Sequence, residues 1–246
     1  MSNSPLVSYT KLSPNHSGQR TRKIDRITPH CVVGQCSVER LGDIFLPASR
    51  EASCNYGIGA DGRVGMYVEE KNRSWCSSSN ANDQRAVTIE CASDGAEPYA
   101  FRDVVYQSLI TLCVDICKRN GKTKLLWLED KDKTLAYTPA PDEMVLTVHR
   151  WFANKSCPGN WMYARMGDLA EKVTAQLSAG MDEEDDDMDI NKFKELWREM
   201  RKELQDNDAS AYSEEARKWA VDNGIIRGGN SDEFNGMWED MMTREQ

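Results

Sequence analysis

The chain has 246 residues, more than one compact domain usually holds, so a main domain with a smaller appendage is expected. Its 39% hydrophobic and 29% charged residues exclude wholesale disorder, and no run approaches the roughly 20 consecutive apolar residues of a bilayer span. The net charge of −9 is concentrated: residues 1–180 hold 22 Lys and Arg against 20 Asp and Glu, whereas 181–246 hold 9 against 20, a balance with no counterion-release drive toward nucleic acid.

The opening Met1-Ser2-Asn3-Ser4-Pro5 lacks the basic start and apolar stretch of a secretory signal, so a cytoplasmic protein is expected. Its eight cysteines are then expected to be mostly reduced and structural. The short basic run Arg20-Thr21-Arg22-Lys23 reads as a solvated lead-in to the first strand. Ile24 through Val33 reads as a buried strand ending at a turn, with Pro29 pointing to an edge or a strand end. Tyr56 through Val68, centred on Asp61-Gly62, has the turn signal of a hairpin. Ala86–Ala92 is another strand.

From Arg102 to Asn120, Val105, Leu109, Leu112, Val114 and Ile116, with Cys113 and Cys117, recur at helical spacing, and Asn120-Gly121 supplies a stop. Met144–His149 predicts a strand, followed by a loop through Cys157-Pro158-Gly159 and one helix over about 161–177. Strands interleaved with helices predict an α/β domain in 1–180, a mixed central sheet flanked by helices. The like-charge block 181–189 predicts an extended acidic linker. Beyond it, 190–246 reads as a mostly helical segment. Its stripe of Phe193, Leu196, Trp197, Met200 and Leu204 needs a partner surface, either the body, residues 207–246 or a second copy.

Only three histidines are present, and His30 and His149 close strands whereas His16 falls in the flexible start. His149 and Cys157 lie eight residues apart, one at a strand end and one in a loop that can fold back. Two imidazoles and one thiolate suit zinc, and three protein ligands mark a catalytic site. Against this stand the ordinary roles of a strand histidine or a buried cysteine in a core.

Four segments carry a resemblance: Tyr9 through Asn15, Ile27 through Cys31, Asn55 through Gly62, and His149 through Gly159. Together, over about 9–178, they resemble N-acetylmuramoyl-L-alanine amidases in the superfamily shared with peptidoglycan recognition proteins, and more narrowly the phage and prophage endolysins of Gram-positive hosts. The resemblance implies bacterial peptidoglycan as partner, one catalytic zinc held by His30, His149 and Cys157, and Lys155 as a catalytic lysine. Glu90 matches the acidic base of one branch. Another branch uses a tyrosine where this chain has Cys54, which favours Glu90 and leaves Tyr56 as a wall or packing residue. The implied chemistry is metal-assisted amide hydrolysis with Glu90 as proton acceptor and Lys155 facing the oxyanion. Asn55, Tyr56, Trp75 and Arg150 are the candidate substrate contacts.

Ala216 through Gly228 and Met242 through Gln246 resemble part of one S-layer-homology-like repeat, which implies wall attachment. Three rivals stay open. One is a peptidase of the same wall with Cys31 or Cys54 as nucleophile and His149 as base. Another is a non-catalytic wall-recognition protein. The third is a structural zinc held by Cys31, Cys36, Cys113 and Cys117.

Overall fold

The computed structural model of the chain describes residues 2–184, 190–203 and 214–225. It divides into two units, Met1–Glu183 and Glu184–Gln246. In chain order the elements are β1 (Val7–Thr10), β2 (His16–Gln19), β3 (Arg26–Cys31), α1 (Val38–Phe45), β4 (Tyr56–Ile58), β5 (Val64–Met66), β6 (Asn72–Ser74), α2 (Asn80–Asp83), β7 (Ala86–Cys91), α3 (Asp103–Arg119), β8 (Lys124–Leu126), α4 (Lys131–Ala136), β9 (Glu143–Leu146), α5 (Asn160–Tyr163) and α6 (Met166–Glu184). The second unit contributes α7 (Ile190–Glu203) and α8 (Glu214–Asp222).

Seven strands form a mixed sheet in the order β1-β5-β4-β7-β3-β9-β8, and β2 pairs with β6 in a separate ribbon. All neighbours in the large sheet run parallel except β4 and β5, the expected hairpin. The α/β class expected from the sequence is the one observed.

Side-chain alternation along the central strands sorts the domain into two unlike layers. Ile27, Tyr56, Ile58, Val87, Ile89 and Cys91 join Leu109, Leu112, Cys113 and Ile116 of α3 in the main apolar core. The opposite face carries Arg26, Thr28, His30, Thr88 and Glu90, and α1 and the short α2 lie along it. Ser37 caps α1 by accepting from the Arg40 amide at 3.2 Å, and Ser79 caps α2 through the Asn82 amide at 3.3 Å. Asn82 then fastens α2 to the sheet, donating to Thr28 Oγ1 at 3.0 Å and accepting from Thr147 Oγ1 at 3.1 Å.

Close approach of α1 depends on Gly57, where an added Cβ would stand 2.7 Å from the Tyr67 ring and 2.8 Å from Leu41 Cδ1. Both neighbours are fully buried, so neither can swing away. Gly57→Ala is expected to destabilise the domain by about 1–3 kcal/mol, read as a lowered urea midpoint with an unchanged slope.

Three expectations need correction. Pro29 lies inside a central strand rather than at an edge. Ile27 offers its carbonyl to the Thr147 amide, so by alternation Pro29 faces the same β9 side, and with no N–H to donate it stands where the pairing with β9 stops. The single helix expected over 161–177 is two, because the first closes on a short-range bond from the Arg165 amide to the Met162 carbonyl before α6 begins. The acidic block does not start a linker at 181, since α6 continues through Glu184; residues 185–189 lie outside the described ones.

Arg20, expected to be solvated, is buried: its guanidinium donates to the Glu70 and Asp83 carbonyls and, at 2.9 Å, to Asn55 Oδ1. In the second unit, Phe193, Leu196 and Met200 are exposed on α7. Leu204, and the wall-repeat residues from Ile226 onward, lie outside the described residues.

Candidate metal centre and catalytic cleft

His30 comes to the site because it is the fifth residue of a strand buried on both faces, in register with Glu90 on β7. Gly57 of β4 is the register partner of Glu90 on its other side, so His30, Glu90 and a residue without a side chain form one row across the sheet. His149 begins a single helical turn, His149–Trp151, two residues beyond the end of β9 rather than closing the strand. Its Nε2 meets Ser78 Oγ at 3.1 Å, a contact that fixes the ring orientation.

Cys157 arrives on a loop braced at several points. The Arg150 amide donates to the Cys157 carbonyl at 3.1 Å, and the Arg150 guanidinium reaches the Ser156 carbonyl and Asn160 while resting 4.6 Å from the Tyr163 ring centre. Gly159 sits at φ +84°, and a Cβ there would press to 2.8 Å from the Pro98 carbonyl and from Tyr99 Cβ. These constraints hold the thiol against the sheet.

One donor atom from each of His30, His149 and Cys157 lies within 4.8 Å of the other two. Cys157 Sγ is 3.3 Å from His30 Nδ1, and the imidazole centres are 5.0 Å apart. Two ligands on one tetrahedral zinc, at about 2.3 Å for sulfur and about 2.0 Å for nitrogen, stand roughly 3.5 Å from each other. The donor set and its spacing therefore fit such an ion. A second triangle, His30, Cys76 and Glu90, shares the first histidine.

Burial, with His149 adding repulsion, pushes His30 well below the usual histidine range, while burial and the Lys155 ammonium lower His149. Both imidazoles are thus held in the neutral form that binds metals. The Cys157 thiol is pushed up, first by its interaction with Cys31 and then by burial. His30 Nε2 and Glu90 Oε2 are buried without a hydrogen-bond partner among the described residues. Such orphaned atoms cost stability unless a bound species meets them. Burial pushes the Glu90 carboxyl up to about 7, against the opposing pull of Arg50, which is the range where a carboxylate serves as base at neutral pH.

A cleft of about 540 Å³ opens over these groups. Glu90, His149, Lys155 and Trp75 all line it, so four of the residues singled out in the sequence meet in one cleft. A smaller adjoining cavity of about 290 Å³ adds Cys31 and Cys157 beside Glu90, His149 and Lys155. The Trp75 indole is held upright by donating to Ser17 Oγ at 2.7 Å.

The other candidate contacts lie elsewhere. Asn55 is fully buried, its amide donating to the Val68, Glu69 and Asn72 carbonyls and its oxygen accepting from Arg20 and Thr88. Tyr56 is buried on the α3 side, its hydroxyl donating to Glu70 Oε1 at 2.7 Å. Arg150 acts on the loop and does not line the cleft. His16 pairs within the β2 ribbon, where Nδ1 accepts from the Gly18 amide. Sequence reasoning missed Ser78 and Arg50; the Ser77-Ser78-Ser79 run was a visible signal for a polar loop, but nothing in it indicated His149.

The thiol rivals find little support in this geometry. Cys113 and Cys117 are fully buried in the α3 core, and among the described residues the donor triangles are the two that contain His30. Cys54 is fully buried, and burial pushes its thiol well up, the wrong direction for a nucleophile.

A family model described as N-acetylmuramoyl-L-alanine amidase matches residues 17–160, which contain all the site residues above. The chain belongs to the N-acetylmuramoyl-L-alanine amidase family. No curated protein matches this amidase. Among solved structures, a selenomethionyl derivative of AmpD is 18% identical over 66% of this chain and 93% of its own, with a TM-score of 0.46. The endolysin LysCS, an N-acetylmuramoyl-L-alanine amidase from Clostridium intestinale, is 16% identical over 70% and 97%, with a TM-score of 0.43. The Drosophila peptidoglycan recognition protein SA is 15% identical over 64% and 89%, with a TM-score of 0.44. Among the described residues of the amidase, no helix is long and apolar enough to cross a membrane.

Proposed function

We propose that this amidase is a zinc-dependent endolysin that hydrolyses the amide between the lactyl group of N-acetylmuramic acid and L-alanine in the peptidoglycan of a Gram-positive host. The observation that carries the reading is the convergence of two imidazoles and a thiol within 4.8 Å, beside a carboxylate and a lysine that line the cleft. His30, His149 and Cys157 would hold the ion, which when bound supplies Lewis acidity toward the scissile carbonyl.

Glu90, with one oxygen unclaimed by protein, accepts the proton of the attacking water and returns it to the departing alanine nitrogen. Lys155 is exposed on its loop and lines the cleft, which supports a role in which its ammonium meets the oxygen that gains charge as the carbonyl is attacked. Ser78 keeps the His149 ring from rotating out of the ligand set. Trp75 offers a flat apolar wall of the kind that packs against a sugar or peptide.

Turbidity of purified Gram-positive walls is the direct test, measured with native protein, with chelator and after zinc is restored. Free L-alanine amino termini whose appearance stops reversibly on chelation support the reading. Lysis that survives chelation, or cuts another bond, removes it. Lys155→Met is expected to lower kcat by about 10²–10³ with bound zinc unchanged. Loss of zinc in that variant would make Lys155 a support of the ligand loop instead.

We propose wall attachment for residues 190–246, the part resembling an S-layer-homology-like repeat. Deleting 181–246 is expected to abolish co-sedimentation with walls while leaving hydrolysis of soluble muropeptides intact. Unchanged pelleting would remove that role.

A further inference from the structure

Cys76 places a thiol on the cleft that the proposed reaction leaves unused. Its backbone is fixed from α2: the Cys76 amide donates to Asp83 Oδ2 at 3.1 Å, and the Ser77 amide donates to the same buried carboxylate at 3.2 Å. The sulfur stands 3.9 Å from Glu90 Oε1. One donor atom from each of His30, Cys76 and Glu90 lies within 4.8 Å of the other two, the same spacing as in the metal centre, with which this triangle shares only His30.

Two of its members have a donor to spare. His30 turns Nδ1 toward Cys157 at 3.3 Å, whereas its Nε2 is buried with no hydrogen-bond partner among the described residues, and Glu90 Oε2 is in the same condition. The two nitrogens of an imidazole lie on different edges of the ring, so one ring can serve two ions. A thiolate, an imidazole nitrogen and a carboxylate oxygen suit zinc, and not the hard ions magnesium and calcium. We propose that His30, Cys76 and Glu90 bind a second, inhibitory zinc once the first site is filled. As it binds, the thiol proton and the Nε2 proton pass to solvent, which makes this the weaker site, filled only when zinc exceeds one equivalent. Glu90 is then held as a ligand and no longer takes a proton from water. The inhibition rests on the amidase reading, whereas occupancy of the triangle does not.

The test takes the full chain holding one equivalent of zinc and adds more, following bound metal by equilibrium dialysis and cleavage of soluble muropeptides on the same samples. The native chain is expected to take up a second equivalent while kcat falls by about 10²–10⁴, the range for loss of a general base. Cys76→Ala should stop at one equivalent and cleave equally well at stoichiometric and excess zinc. Cys36→Ala, which removes a neighbouring half-buried thiol, should still take up two. A native chain that stops at one equivalent overturns the inference, as does a second equivalent that survives in Cys76→Ala or is lost in folded Cys36→Ala. If Cys76→Ala fails to fold, alkylation of the native chain decides: the second equivalent should protect Cys76, read by peptide mass spectrometry, and unprotected Cys76 overturns the site. Uptake of two ions with undiminished cleavage overturns the inhibitory role. Absence of cleavage at one equivalent defeats the amidase reading itself and leaves the second ion readable by dialysis.

Discussion

Glu90→Gln is expected to lower kcat on muramoyl-peptide substrates by about 10²–10⁴ while zinc stoichiometry and KM stay near native. The substitution keeps shape and removes only the capacity to accept a proton. Glu90 is the register neighbour of His30, lines the cleft and has one buried oxygen with no protein partner, so its carboxylate is free to act on water. The second donor triangle provides an alternative role, because Glu90 also lies within 4.8 Å of donor atoms on His30 and Cys76. Elemental analysis separates the two: loss of zinc along with activity would make Glu90 a ligand, and near-native turnover would remove it from the chemistry.

Arg119→Met is expected to destabilise the first unit by about 3–5 kcal/mol, read from urea denaturation. Arg119, near the end of α3, holds Glu70 through two bonds, at 2.9 and 2.5 Å, and Tyr56 donates to the same carboxylate. The Glu70 side chain is fully buried and that of Arg119 is 15% exposed, so losing the cation strands a carboxylate in the interior. Combining Arg119→Met with Glu70→Gln should recover part of the loss, since the fully buried carboxylate is then gone, although Asp115 still loses its Arg119 partner. A double variant as unstable as the sum of the singles would show that the pair is not coupled.

Several elements were legible in the sequence because their physics is local. The hairpin follows from Asp61-Gly62 between apolar residues, and α3 from apolar spacing that stops at Asn120-Gly121. The metal triangle was within reach for a simpler reason: three histidines leave few combinations, and the match of His30, His149 and Cys157 to family motifs selected one of them. Substrate contacts were harder to read. Asn55 and Tyr56 sit beside matched motifs, yet their polar atoms are spent on Arg20, Thr88 and Glu70, partners distant in sequence. A side chain's number along the chain carries no record of where its hydrogen bonds go.

By itself the sequence determined the α/β class, the candidate donor residues and the separation of a near-neutral body from an acidic tail, since each depends on composition, short-range periodicity or motif. The tertiary structure alone decided which face of the sheet is chemical. Arg26, Thr28 and His30 alternate with Ile27, Pro29 and Cys31 along β3, but all six are buried, so the pattern does not say which side a helix covers and which side opens to a cleft. That side was set by α3 covering the other with its apolar stripe, and by the parallel register that places Glu90 beside His30. Strand pairing across dozens of residues is a property of the whole chain's packing, and it is this packing that turned separated donors into a site.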